Sequence, residues 1–473
     1  MIGAYPVQHI RAAETALMVR LPGGALMQRA AAALASRCAG LLGGVYGARV
    51  VVLVGAGDNG GDALHTGARL ARRGARVDAV LVRPERAHTE GLAALRRAGG
   101  RVVGDPARAI AGSDLVIDGL VGIGGSGGLR ADAARLADLA GERGGLVVAV
   151  DLPSGVDADT GELPGSHVVA DVTVTFGARK IALVVDPAAA AAGRVEQIDI
   201  GLGPFLPNPT VEVLEPADVA DLLPRPGRDA DKYARGVVGV LAGSAAFTGA
   251  AVLTVGGAVR GGAGMVRYVG DDDVAGEVRS HWPESVTASG RVQAWVAGPG
   301  LGADADRARA VGAVLAAAEP AVVDADGLRF LPPRLEAPTL LTPHAGELGR
   351  LLGVNRHDVE ARRLHHARAA ATRWNAVVLL KGSTTLVVAP DGRVRANPTG
   401  TPALATAGSG DVLAGLAGAL LAAGLHPFDA GSVAAYIHGV AGRLAAEPAV
   451  YPSATDVLDA LPRAIARAER MTV

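Results

Sequence analysis

VVLVGAGDNGGDAL, residues 51–64, decides the fold of the first half of the chain. It reads as a buried strand, a glycine loop and a helix start, the unit from which parallel α/β sheets are built. Working outward, ARVDAVLV (75–82), DLVIDGLVG (114–122), GLVVAVDLPSG (145–155), DVTVTFG (171–177) and VEQIDIG (195–201) read as further strands. Stretches rich in Ala, Leu and Arg lie between them and read as helices. Residues 8–42 read as helices broken near Pro22 and Gly23. The alternation predicts a mostly parallel sheet covered on both faces.

GPFLPNPTVEVLEP (203–216) is proline-rich and breaks the pattern, so domains are expected at 1–208 and 209–473. A chain of 473 residues exceeds what one hydrophobic core supports. A second β/α series follows: GVVGVLAGS (236–244), MVRYVG (265–270), VQAWVAGPGLG (292–302), PAVVDADGL (320–328), TLLTPHAGE (339–347) and AVVLLKGSTTLVVAPDG (376–392). A helix is expected from about Gly410. The two halves share a class but not a motif order.

Aromatic residues are 3% of the chain, so Ala, Val and Leu must fill the cores, and the 66 glycines must serve turns and close backbone approaches. A net charge of −1 offers no field for nucleic acid, and none is expected as a partner. One cysteine, Cys38, excludes an internal disulfide and suits a cytoplasmic protein. The longest apolar run, Val412 to Gly424, is too short for a bilayer span and reads as a buried helix, so no membrane association is expected. A homo-oligomer is the expected assembly. The chain has only three lysines, Lys180, Lys232 and Lys381, against a background of arginine. Each is a candidate for a place that needs a compact ammonium.

In the first half, GAGDNG (55–60) fits G-x-G-x-x-G, but a dinucleotide fingerprint also wants an acid closing the second strand. The nearest, Asp78, precedes the apolar part of that strand. Polar groups do mark three strand ends: Asn59, Asp118, and Asp151 with Ser154. The C-terminal ends of parallel strands converge on one crevice. There an amide, a carboxylate and a hydroxyl could hold a hard cation through oxygen. Asp151 could exchange protons, or could simply be a turn carboxylate before Pro153.

In the second half, TAGSGDVLAG (406–415) is a glycine loop opening a helix whose N–H groups favour phosphate oxygens. Asp411 in its first turn could take a proton from a hydroxyl attacking phosphorus, or could only offset the helix dipole. Lys381, at a strand end, could reach nucleotide phosphates or merely hold a loop. His344, after Pro343 and before Glu347, could be structural or functional. Asp324 and Asp326 could bind magnesium through water or cap the next helix.

LMQRAA (26–31), GAGDNGGDAL, VIDGLVGIGGSGGLR (116–130), VDLPSGVDADTG (150–161) and DVTVTFGARK (171–180) together resemble the NAD(P)H-hydrate epimerase family, over residues 1–205. The resemblance implies a Rossmann-like parallel-sheet sandwich and interconversion of the two C6 epimers of hydrated NADH or NADPH. It implies a potassium ion on Asn59, Asp118 and Ser154. Substrate contacts would come from Asp58, Asn59, Gly60, Gly61 and Asp62, and from Gly122, Ile123, Gly124, Gly125, Ser126, Gly127 and Gly128. Asp151 would be the acid/base residue, with Lys180 beside it. The sequence departs from that family at Asp58 (usually Asn), Ala63 (usually Gly) and Gln28 (usually Glu).

GPGLG (298–302), DADGL (324–328), LTPHAGEL (341–348), LKGSTT (380–385) and AGSGDVLAG (407–415) resemble the ADP-dependent NAD(P)H-hydrate dehydratases, over about residues 210–465. That implies a ribokinase-like α/β domain, with Mg2+ and with ADP as co-substrate. Lys381, Gly382, Ser383, Thr384, Thr385 and Gly410 would hold the AMP part of ADP. Ala251, Gly302, His344 and Asp411 would face the hydrated nicotinamide. Two other readings stay open at this point. One is a small-molecule kinase with an N-terminal nucleotide-binding module; the other leaves the first domain a module without catalysis.

Overall fold

The strand Arg49–Val54 shows how the sequence builds the first unit. Val50, Val52 and Val54 enter one hydrophobic cluster and Val51 and Leu53 enter another, so alternate side chains bury on opposite faces of the sheet. The computed structural model describes residues 1–142, 145–447 and 451–470. It divides into two compact units, Gly3–Val211 and Met1–Ile2 with Glu212–Val473.

In the first unit a seven-stranded parallel sheet runs, in spatial order, Arg101–Val102, Arg76–Leu81, Arg49–Val54, Leu115–Gly119, Leu146–Val150, Val172–Phe176 and Arg194–Ile198. The order reverses between Arg49–Val54 and Leu115–Gly119. A crevice forms at such a switch point, outside the carboxyl ends of the strands. The helix Asp58–Arg72 springs from the first strand, with Asp58 in its first turn and Arg69 and Arg72 in its last, charges that suit its dipole. Outside that seven-stranded sheet, Ile2–Tyr5 runs parallel to Arg179–Lys180 and sets Lys180 opposite Tyr5. Val7–Met18 and Ala25–Leu42 are helices, with the break where Pro22 and Gly23 stand.

In the second unit the strands lie in the order Met265–Tyr268, Val237–Leu241, Ala294–Ala297, Ala321–Val323, Thr339–Leu341, Val377–Leu380, Thr385–Val388, Val394–Asn397. All pairings are parallel up to Val377–Leu380, and the last two are antiparallel. LKGSTT therefore occupies a hairpin turn rather than one long strand. The apolar run is the helix Ser409–Ala422, buried from Val412 onward. It packs against Thr248–Arg260 at backbone range. A methyl on Gly257 would strike the Val412 carbonyl, and one on Gly415 would strike that of Thr254. Among the described residues no helix is long and apolar enough to cross a membrane.

The short strands Ile2–Tyr5, Arg101–Val102, Arg179–Lys180, Val211–Val213 and Val394–Asn397 go beyond the sequence reading. Val211–Val213 lies inside the proline-rich stretch, where Glu212 pairs with Arg395 in the sheet and its carboxylate meets that guanidinium at 3.2 Å.

Candidate active sites

In the first unit Asp151 follows the strand Leu146–Val150 with φ +71°, a left-handed conformation held by its N–H donating to Val174 O at 2.8 Å. The turn aims its carboxylate at Lys180. The Lys180 ammonium, 1% exposed, donates to Asp151 Oδ1 and, at 3.1 Å, to Thr175 Oγ1. The Thr175 hydroxyl (3.2 Å) and the Phe176 N–H (3.3 Å) reach the same carboxylate oxygen. Asp151 is thus fixed by three donors while its surroundings remain open to a cavity of about 1170 Å³.

Asp118 is fully buried. Its carboxylate accepts from Ser154 Oγ at 2.6 Å, Ser154 N–H at 2.9 Å and Leu120 N–H at 3.2 Å. Burial pushes its pKa up, and those hydrogen bonds oppose the rise. Asn59 stacks beside Gly122, and its side-chain nitrogen is buried without a partner.

Asp58, Asn59, Asp62, Gly122, Ile123, Gly124, Gly125, Ser126, Gly128 and Asp151 line the cavity. Gly60, Gly61 and Gly127 are not part of its wall. Gly60 and Gly61 are buried, and Gly61 makes room for the His88 ring and the Met27 methyl. The Asp62 carboxyl is held well above the usual range by burial, then by Asp151, Asp58 and Glu14. Glu14, on the helix Val7–Met18, also lines the cavity and is also raised by burial, with Lys180 opposing. Sequence reading missed Glu14. Its only signal was an acid beside the buried stripe Ile10, Ala13 and Leu17.

In the second unit Asp411 sits one residue past Gly410, in the first turn of Ser409–Ala422. Lys381 donates to Asp324 Oδ1 at 2.8 Å and lies 3.9 Å from Glu347. The open face of Gly410 looks onto the Lys381 ammonium and the Asp324 carboxylate, 3.4 and 3.7 Å from where its Cβ would be. Burial pushes Asp411 up to about 7, Asp324 and Glu347 add to the rise, and Lys381 opposes it. Burial works against the Lys381 cation, but Asp324, Glu347 and Asp411 outweigh it and hold its pKa above the usual lysine value. The site therefore has one group able to take a proton near neutrality, beside a permanent cation.

His344 caps the helix Ala345–Leu352. Its Nδ1 accepts from the N–H groups of Gly346 (3.0 Å) and Glu347 (3.1 Å), and Glu347 returns the bond to the His344 N–H at 2.8 Å. Burial first, and Lys381 next, lower its pKa. With Nδ1 accepting from the helix N–H groups, Nε2 lies 3.5 Å from the Glu347 carboxylate.

The family described as YjeF-related protein N-terminus matches residues 23–182, and the family described as NAD(P)H-hydrate dehydratase matches residues 238–463. A bifunctional NAD(P)H-hydrate repair enzyme from Mycobacterium leprae is 48% identical, covering 93% of this chain and 94% of that one. The chain belongs to the bifunctional NAD(P)H-hydrate repair enzymes. A repair enzyme from Mycobacterium tuberculosis is 49% identical, over 89% of each chain. The ADP/ATP-dependent NAD(P)H-hydrate dehydratase of Bacillus subtilis, co-crystallised with ATP/Mg2+, is 31% identical with a TM-score of 0.52, covering 55% of this chain and 99% of that one.

Within this repair-enzyme frame the three departures find structural partners. Asp58 serves as the first-turn acid of its helix. Ala63 is buried against Gly119. Gln28 accepts from Arg69 at 3.1 Å and contacts His65 at 3.4 Å. Lys180 and Lys381 stand in the two sites, but Lys232 does not. It is exposed, with its ammonium 5.3 Å from the Tyr233 ring centroid. Asp324 and Asp326 also part company. Asp326 accepts from Gly302 N–H at 3.0 Å, while Asp324 pairs with Lys381. Ala251 is fully buried against Gly243 and presents no side-chain surface.

The LKGSTT hairpin has a support that the sequence did not advertise. Buried Arg363 donates to the carbonyls of Leu380 (3.2 Å), Lys381 (3.1 Å) and Thr384 (3.2 Å). A methyl on Gly382 would overlap that guanidinium. Ser383 is exposed at the tip, while Thr384 and Thr385 are buried. Arg363→Met strands three carbonyls, so it should lower stability by about 2–4 kcal/mol. The KM for ADP should rise more than kcat falls. Urea denaturation and ADP titration of the variant test both. His438, missed as well, is buried and hydrogen-bonds the Ser409 backbone under the glycine loop, and burial lowers it to about 4, so it is neutral.

Proposed function

We propose that this chain repairs hydrated NADH and NADPH in two steps, epimerisation in the first unit and ADP-dependent dehydration of the S epimer in the second. The observation that carries the reading is the glycine loop itself: Asp411 in the first turn of Ser409–Ala422, with Lys381 and Asp324 across the open face of Gly410 and burial pushing the Asp411 carboxyl up to about 7. Such a group suits general-base work at neutral pH.

In the first cavity, C6 of the substrate bears both its hydroxyl and the ring nitrogen. Asp151 takes the hydroxyl proton while Asp62, whose carboxyl burial and then Asp151 raise well above the usual range, gives one to the nitrogen. The C6–N bond opens to an aldehyde, and closure on the other face with the protons returned yields the other epimer. Asn59, Asp118 and Ser154 offer an amide oxygen, a carboxylate and a hydroxyl, a hard-oxygen set that fits potassium, and the full burial of the Asp118 carboxyl among neutral donors supports this. Potassium would neutralise the buried Asp118 charge and fix the loop that follows it.

In the second unit Asp411 takes the C6 hydroxyl proton as that oxygen attacks the terminal phosphorus of ADP, and AMP leaves. Phosphate then departs from C6 and takes up the proton released from C5, restoring the double bond. Hydroxide is a poor leaving group and phosphate a good one, which gives the detour its purpose. Lys381 and the N–H groups opening Ser409–Ala422 offset phosphate charge. No group of three or more His, Cys, Asp or Glu among the described residues forms a metal cage. Magnesium would therefore arrive on the nucleotide's phosphates and screen their charge.

Purified chain incubated with hydrated NADH should regenerate NADH absorbance only when ADP is added, with one AMP formed per NADH. Phosphorylation without NADH recovery would replace this reading with a small-molecule kinase.

A further inference from the structure

One wall of the first cavity is left unused by the proton chemistry. In a parallel sheet of this order, the residue closing the second strand faces the ribose of a dinucleotide's adenosine half. A carboxylate there holds a free 2′-hydroxyl, whereas arginine accommodates a 2′-phosphate. Here the strand Arg76–Leu81 runs into Val82, Arg83, Pro84, Glu85 and Arg86. Pro84 opens a single tight turn, Pro84–Arg86, and both Arg83 and Arg86 line the cavity together with Gly57 and Asp58 of the first loop. Glu85 is not part of that wall. Asp78, the acid on the strand itself, is committed to Arg101 at 2.8 Å and Arg76 at 3.4 Å. Among the described residues neither Arg83 nor Arg86 has an acidic partner.

The cavity is polar in the electrical sense. The strongest charges acting on Glu14 and Asp62 are each other's neighbours Asp58, Asp151, Lys180 and Arg11, not Arg83 or Arg86. The acids gather where protons move, and these two arginines stand free at the end of the neighbouring strand. Guanidinium forks match phosphate oxygens in pairs.

We propose that Arg83 and Arg86 form a subsite for a ribose 2′-phosphate, so that the first unit acts preferentially on hydrated NADPH over hydrated NADH. The proposal rests on the epimerase reading of this cavity. Its test uses the full chain without ADP, which keeps the second unit silent, and follows epimerisation of each purified R hydrate by chromatography. Two exposed guanidiniums on one phosphate should lower KM for hydrated NADPH about tenfold relative to hydrated NADH, with similar kcat and a gap that narrows as salt rises. Arg83→Gln/Arg86→Gln should raise KM for hydrated NADPH to the NADH value and leave hydrated NADH turnover unchanged, which also reports an intact fold. Equal kcat/KM for the two hydrates in the unaltered chain overturns the proposal, as does an equal loss on both in the variant. If neither hydrate is epimerised, the underlying reading fails instead. The subsite is then judged by calorimetry with NADP+ and NAD+: tighter NADP+ binding lost in the double variant retains it, and equal binding overturns it.

Discussion

Asp411→Asn should cut kcat of the ADP-dependent step by about 10³-fold, within the range general bases contribute. The amide keeps the shape and the first-turn position but cannot accept the hydroxyl proton, so KM for ADP should change little. In the unaltered enzyme kcat should climb with pH through a limb near 7, where the buried carboxyl ionises. That limb should vanish from the residual activity of the variant. Near-normal turnover, or an unchanged limb, would remove Asp411 from the chemistry. The same substitution should stabilise the protein. The folded carboxyl titrates near 7 and the unfolded one near 3.8, so the unfolded chain sheds its proton first. Stability is therefore lost as pH rises through this window. With one pKa unit being about 1.4 kcal/mol, the ceiling on that loss is on the order of 4 kcal/mol. Melting curves of Asp411→Asn and the unaltered chain should coincide near about pH 4 and separate by about pH 8, with the variant melting higher.

Asp151→Asn should abolish epimerisation, a loss on the order of 10²–10⁴-fold. Asparagine accepts the positive φ of this turn, so the backbone should hold. It leaves the Lys180 ammonium buried without its counter-charge, which typically costs about 3–5 kcal/mol. Lys180→Met alone should also destabilise, because Asp151 then keeps only Thr175 and the Phe176 N–H. The double variant Asp151→Asn/Lys180→Met should recover most of the lost stability in urea and none of the activity. Should either single variant epimerise at the normal rate, the ion pair is structural and the proton carrier lies elsewhere, with Asp62 and Glu14 the next candidates.

The strands were legible where burial on both faces forces an unbroken apolar run, as in residues 50–54, whose valines and leucine serve two cores at once. Short partners such as Arg179–Lys180 and Val394–Asn397 carry no such run, because register with a distant strand defines them. The sites followed the same division. Asp151, Asp118 and Lys381 could be read from the rule that parallel strands gather their ends. The link from Lys381 to Asp324 spans 57 positions, and Arg363 supports a loop 18 residues onward. No local pattern records either. His344 was readable both ways, and the structure gives it a cap on Nδ1 and sets Nε2 3.5 Å from Glu347.

The chain parts into two compact units at Val211 and Glu212. One translation event therefore delivers both sites in a fixed one-to-one ratio, whatever the level of expression. Because dehydration draws off only one epimer, an excess of that site alone would leave the other to accumulate as waste. Covalent fusion makes such an imbalance impossible at the level of synthesis, so the composition of the repair route does not depend on matching two genes.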